Sequence, residues 1–238
     1  MFRRSLSDQW SATRAGSLFL VAALVGCGGS GGATPVAVPL SPNVRMLQKG
    51  DAATYTFSGT FTATGKPSAT VTGSTVHTIS DKVGDVLTVV HDLHIIINGA
   101  PFDLHQVGTE RQNPNGSIEA VGDNAGVNGA ARTVTSNTFV QPGTFTVPLN
   151  ISGTTMFSDG SSSQSAMNVT GTGTATTLLG TFGVYVVKGK VQSSYGNSTT
   201  TTDLFCPPLG IFITRTEIGS GPTGVITINY SIASYHLT

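Results

Sequence analysis

Two histidines and two aspartates are the residues of this chain whose spacing best fits a metal site. The dipeptide Asn98-Gly99 predicts a two-residue β-hairpin turn. If the flanking residues pair in register across that turn, His94 faces Asp103. The next pair on the same side of the hairpin is then Asp92 with His105. Imidazole nitrogens and carboxylate oxygens are ordinary zinc ligands. The alternative is two cross-strand charge pairs on a solvated face. The pattern favours this alternative, because a one-residue slip in strand register would abolish a metal site.

Other residues that could do chemistry are few. His91 has the opposite parity to His94 and is predicted to point inward, whereas His77 stands isolated in the sequence. The sequence after residue 43 has neither a Gly-x-Ser-x-Gly nucleophile motif nor a phosphate-binding glycine loop. The loop 123–128 lacks the alternating acids and closing Glu of a calcium loop, so it is predicted to be a simple turn. We therefore expect a protein that is not an enzyme and needs no cofactor.

Alternation of apolar and polar residues predicts the elements that position these side chains. It is clearest in residues 54–62, 144–151 and 226–232, and each segment is typical of a strand with one buried face. Turn-forming residues such as Asn113-Pro114-Asn115-Gly116 and Asp159-Gly160 separate the predicted strands. The sequence therefore predicts an all-β fold, a single antiparallel sheet of about ten or more strands. So many strands rarely stay flat, so we expect a curved half-barrel, barrel or sandwich.

The first residues of the chain carry a different pattern. Three arginines precede an apolar stretch from about Leu18 to Gly26, which is shorter than the about 20 residues of a transmembrane helix. The stretch closes with Leu24-Val25-Gly26-Cys27 and resembles a bacterial lipoprotein signal peptide with its lipobox. The resemblance implies that residues 1–26 are removed and that Cys27 is lipidated, which ties the mature protein to a membrane. Gly28, in place of Asp, implies the outer membrane.

The mature chain divides into a tether and one domain. Residues 27–43 hold the lipidated Cys27 and a Gly/Ser/Pro-rich tether. Residues 44–238 form the all-β domain and are enough for a sizeable core. Removal of the signal leaves nine basic and eleven acidic residues without a basic cluster, which argues against a nucleic-acid partner. Cys206 then has no cysteine to pair with, and its apolar neighbours predict a buried thiol.

Two further segments resemble uncharacterised exported bacterial proteins. Thr177–Phe182 leads into an apolar strand, and Asp203–Ile211 contains an aromatic residue followed by prolines and a glycine. Such proteins resemble the lipoprotein-carrier fold, an incomplete antiparallel β-barrel whose apolar concavity holds acyl chains. The resemblance implies that fold and no functional residue. Cys206 and the doubled proline depart from the pattern, as does the lack of a helix to plug the barrel mouth.

Two functions follow as expectations. The first is a non-enzymatic, membrane-anchored lipoprotein of the cell envelope that binds an apolar ligand or an envelope protein during assembly. The alternative is a structural or adhesive surface lipoprotein without a ligand cavity, whose polar faces and sheet edges make the contacts. An unfilled apolar concavity distinguishes the first function from the second.

Overall fold

The described part of the chain folds into thirteen β-strands. The computed structural model describes residues 36–125 and 129–238. The strands are β1 (Val36–Val38), β2 (Ala52–Ala63), β3 (Ser68–Val83), β4 (Val86–Ile97), β5 (Ala100–Gln112), β6 (Ile118–Asp123), β7 (Arg132–Asn137), β8 (Leu149–Phe157), β9 (Ser162–Thr177), β10 (Gly180–Ser193), β11 (Ser198–Cys206), β12 (Ile211–Gly221) and β13 (Gly224–His236). The signal segment 1–26, Cys27, the tether up to residue 35 and positions 126–128 lie outside the described residues.

Twelve of these strands close into an antiparallel barrel. Strands β2 to β13 pair with their neighbours in chain order, and β13 pairs back onto β2. Strand β1 adds to the sheet by pairing in parallel with the first residues of β10. The all-β antiparallel prediction is confirmed, with the barrel as the observed form. The incomplete barrel implied by the carrier resemblance is wrong, because β13 pairs back onto β2 and closes the ring.

The hairpin at Asn98-Gly99 shows how local sequence sets the register. Asn98 has φ of 47° and Gly99 has φ of 82°, the two positive values that a type I′ turn requires. Ile97 therefore pairs with Ala100, as the sequence predicted. Turns also occur at 113–117 and 158–161, where the sequence predicted them.

The barrel has two ends that carry different connections. At the end where the described chain begins, here called the N-terminal end, lie the connections 84–85, 113–117, 138–148, 178–179 and 207–210. The opposite end, here called the far end, holds the turns 64–67, 98–99, 158–161, 194–197 and 222–223. Strands of 12 to 16 residues such as β2 and β3 separate the ends by about 30–40 Å, allowing for barrel tilt.

The segment 39–51 crosses the N-terminal end of the barrel. Val44 N–H donates to Gly143 O at 2.8 Å. Gln112 holds the segment from β5, because its Oε1 accepts from Leu47 N–H at 2.7 Å and its Nε2 donates to Arg45 O at 2.9 Å. Leu47 is fully buried. Residues 36–43, placed in the tether by sequence, thus contribute strand β1 and contacts to the barrel end.

The strand predicted over 144–151 begins only at Leu149. Pro148 has no N–H to donate to a ladder, and the residues before it pair elsewhere. Phe145 N–H donates to Pro42 O at 2.8 Å, on the segment that crosses the barrel end. Phe145 is consequently buried whereas Val147 is 45% exposed, so the two do not share one buried face.

The core contains apolar and aromatic side chains from strands all around the barrel. Tyr55 of β2 stacks on Phe212 of β12 with ring centroids 4.1 Å apart. The same cluster extends through Phe61, Val71 and Ile228, all nearly fully buried. Within residues 36–125 and 129–238 no helix is long and apolar enough to span a bilayer.

Candidate functional site

The histidines and aspartates of the β4–β5 hairpin form the predicted pairs. His94 Nδ1 lies 2.7 Å from Asp103 Oδ1, and His105 Nδ1 lies 2.6 Å from Asp92 Oδ1. All four side chains are at least half exposed. Across the two described ranges of the chain, no group of three or more His, Cys, Asp or Glu residues is placed to hold a metal ion. The geometry therefore matches the alternative of two solvated cross-strand charge pairs.

The inward-facing histidines form a separate aromatic cluster. His91 points inward, as its parity predicted, and its ring centroid lies 4.3 Å from that of His77 on β3. His77 also lies 5.2 Å from the ring of Tyr55. The expectation that His77 stands alone is wrong, because the β3–β4 register places it directly opposite His91.

A buried ion pair spans β11 and β12 inside the barrel. Arg215 donates from Nε and Nη2 to the two carboxylate oxygens of Asp203 at 2.7 and 2.8 Å. Its guanidinium also lies over the ring of Phe212, 4.2 Å from the centroid. Burial disfavours the charged form of Arg215, but Asp203 and Glu217 outweigh burial and raise its pKa. The guanidinium donates two parallel hydrogen bonds to the carboxylate, the usual geometry of an Arg–carboxylate pair. Because the pair is closed to solvent, it is part of the barrel core.

Glu110 is a second buried acid, on the inward side of β5. It is 3% exposed, and its Oε2 has no hydrogen-bond partner among the described residues. Burial raises the pKa of the Glu110 carboxyl from 4.5 to about 8. The carboxyl is therefore mostly neutral at pH 7.

Sequence reasoning missed the Asp203–Arg215 pair and Glu110. A signal for the pair was present, because Asp203 continues the parity of Thr201 and Phe205, both of which face inward. Glu110 likewise shares the parity of Leu104 and Gln106. Alternation places each of these charges on the buried face of its strand.

An apolar pocket opens at the far end of the barrel, between the β2–β3 and β4–β5 hairpins. Its volume is about 480 Å³, within the about 300–1,000 Å³ range of small-molecule sites. The wall comes from side chains at inward positions of four strands: Phe61, Ala63, Ala69, Ile97, Ala100 and Phe102. Buried Val71 and Ile95, one inward position deeper on β3 and β4, continue the apolar surface below it.

The pocket rim is polar and is set by two turns. Its residues are Lys66, Pro67, Ser68, Asn98 and Pro101. Asn98 Oδ1 accepts from the backbone N–H of Thr70 at 3.0 Å, which ties the β4–β5 turn to β3. Lys66 is the charged residue among the described lining residues, so the pocket combines an apolar interior with one cation at its mouth. This arrangement fits an apolar chain that ends in a polar or acidic head group.

The remaining cysteine is structural. Cys206 is fully buried, as the sequence predicted. Burial raises the pKa of its thiol to about 11, so the reactive thiolate is scarce at neutral pH. Cys27, the predicted lipidation site, lies outside the described residues.

Comparison with known proteins gives two solved structures and no family. No protein-family model matches the chain, and no curated protein is significantly similar to it. A protein from Bacteroides fragilis, assigned as exported and as having a YmcC-like fold, is 11% identical, with 81% of this chain and 98% of that chain covered and a TM-score of 0.38. A protein from Parabacteroides distasonis, assigned as a lipoprotein, is 11% identical, with 82% and 95% covered and a TM-score of 0.36. With TM-scores below 0.5, neither protein's role is transferred to this chain.

Proposed function

We propose that this protein is a non-enzymatic lipoprotein of the cell envelope, anchored in the outer membrane through Cys27, that binds an apolar ligand in its barrel. The observation that carries the proposal is the pocket at the far end, whose wall is built from inward apolar side chains of four strands. A pocket of about 480 Å³ is the feature that distinguishes a binding protein from a purely structural one.

The chemistry of the pocket favours a ligand with an acyl chain. Six apolar wall residues offer contact area without a buried hydrogen-bonding group, so specificity for a polar ligand body has no support there. Lys66 at the rim places a cation where an acidic head group would leave the pocket. A fatty acid, or a lipid with one free acyl chain, meets both conditions.

The alternative of an adhesive or structural surface protein depended in part on sheet edges as contact sites. Strand addition needs a free sheet edge, and closure of the barrel removes such edges. Among the described strands, β1 (Val36–Val38) lies outside the ring of β2 to β13 and presents its outer edge. This edge is three residues long, too short for an extended partner strand.

Filling the pocket should abolish ligand binding. In the chain from Gly28 onward, Ala69→Trp places an indole among the wall residues, and we expect at least a tenfold loss in affinity for a fluorescent C16 fatty acid, equal to about 1.4 kcal/mol. Titration of the probe with protein measures it. Thr72→Trp, an exposed outward position on the same strand, is the matched control and should bind like the wild type. Equal affinity of the Ala69→Trp protein, or a wild-type chain that binds no acyl probe, contradicts the proposal.

Replacing Cys27 should remove the lipid anchor. The sulfur of the lipobox cysteine carries the diacylglyceryl group in a lipoprotein, so Cys27→Ala is expected to abolish incorporation of labelled palmitate and to move the protein out of the outer-membrane fraction. Cys206→Ala is the control, because that thiol is buried in the barrel and its loss should leave labelling unchanged. Palmitate incorporation into the Cys27→Ala protein would show that the anchor is not at Cys27.

A further inference from the structure

Exposed apolar side chains concentrate at the N-terminal end of the barrel. Ten large apolar or aromatic side chains are exposed among the described residues. Six of them lie at this end, on the crossing segment 39–51, at the last residue of β3 or on the connections: Leu40, Met46, Val83, Val140, Val147 and Leu178. Leu178 is fully exposed and Val83 is 73% exposed. Isolated exposed apolar residues are ordinary, but their concentration at one end indicates an interaction surface.

The charged side chains at this end make polar contacts within the protein. Lys49 Nζ lies 2.8 Å from Asp81 Oδ1, and Lys82 Nζ donates to Leu47 O at 2.6 Å. Arg111 lies 3.1 Å from a carboxylate of the β3–β4 turn. The surface therefore offers apolar contact with little free charge, which suits an uncharged apolar partner better than an acidic one.

The position of the chain start identifies that partner. Val36 pairs with Gly180, two residues from Leu178, so the chain joins the domain beside the most exposed apolar side chain. The eight residues 28–35 separate Cys27 from Val36, and even a fully extended chain of this length spans only about 30 Å. An acylated Cys27 therefore holds the N-terminal end close to the bilayer.

We propose that the N-terminal end of the barrel rests on the anchoring bilayer, with Leu178 and Val83 inserted at its surface. This proposal rests on the lipid anchor of the proposed function. The pocket lies at the far end, about 30–40 Å along the strands, so it opens away from the anchoring membrane. Its ligand then comes from the surrounding compartment or from a facing partner.

Site-specific quenching tests the orientation. Leu178→Cys and Val225→Cys proteins, each labelled with one fluorophore, are compared in their lipid-anchored form. The vesicles are of phosphatidylcholine containing doxyl-labelled phosphatidylcholine as quencher. Val225 is the matched control, because it is 45% exposed and follows the far-end turn 222–223. Cys206 stays unlabelled because it is buried.

Contact with the bilayer predicts that quenching of the label at position 178 exceeds quenching at position 225 by several-fold. Equal quenching at the two positions, or stronger quenching at 225, overturns the orientation while leaving the anchor and the pocket in place. If the protein does not co-fractionate with the vesicles before quenching is measured, the proposed lipid anchor is wrong. The two failures are therefore distinguished in one preparation.

Discussion

Asp203→Ala should lower the free energy of unfolding by about 3–5 kcal/mol, the usual cost of leaving one member of a buried ion pair without its partner. Arg215 stays charged, because Asp203 and Glu217 raise its pKa despite burial. Once Asp203 is removed, the buried guanidinium loses the carboxylate that accepts from its Nε and Nη2. Urea unfolding followed by circular dichroism measures the change, since residues 27–238 contain no tryptophan.

Two comparisons separate the loss of pairing from the loss of packing. The variant that combines Asp203→Leu, Arg215→Met and Glu217→Gln removes all three interacting charges, so it should recover most of the lost stability. The exposed pair of His94 and Asp103 provides the surface reference, and Asp103→Ala should cost less than about 1 kcal/mol. If the Asp203→Ala protein is as stable as the Asp103→Ala protein, the buried pair does not stabilise the barrel.

Local sequence determined the hairpins of this fold and their register. Asn98-Gly99 takes the turn conformation that only certain residues adopt easily, and this alone places His94 opposite Asp103. Alternation along β2 and β13 correctly placed Tyr55 and Ile228 on the buried face. These features depend on neighbours in the chain, so one sequence is enough to predict them.

Features that depend on distant strands could not be predicted in this way. The pocket needs β2 to β5 to curve so that Phe61 and Phe102 converge at one barrel mouth, and no local pattern records that curvature. The segment 144–148 alternates like a strand, but Phe145 pairs with the chain crossing the barrel end, a contact made across more than one hundred positions. Closure of the sheet by the pairing of β13 with β2 is equally invisible to periodicity.

Glu110→Gln should remove the loss of stability that a rise in pH from about 5 to 8 causes in the wild-type barrel. Burial raises the pKa of the Glu110 carboxyl from 4.5 to about 8. Below pH 4.5 the acid is neutral in both states, so it adds no pH dependence. As pH rises towards 8, the unfolded chain releases the proton whereas the folded chain keeps it, so the wild-type protein loses stability across this window. Each pH unit costs about 1.4 kcal/mol, and the loss from this carboxyl between pH 5 and pH 8 should be about 3–4 kcal/mol.

Urea unfolding at pH 5, 6, 7 and 8 measures the effect in both proteins. Glutamine keeps the size of the neutral acid and cannot ionise. The Glu110→Gln protein should therefore be more stable than the wild type at pH 8 and about equally stable at pH 5. Glu119→Gln, on the neighbouring strand β6 and partly exposed beside Arg111, is the matched control and should keep the wild-type pH profile. A Glu110→Gln protein whose stability falls with pH as steeply as the wild type would mean that another group carries the dependence. In that case, the carboxyl of Glu110 is solvated in the folded barrel and the inward side of β5 admits water.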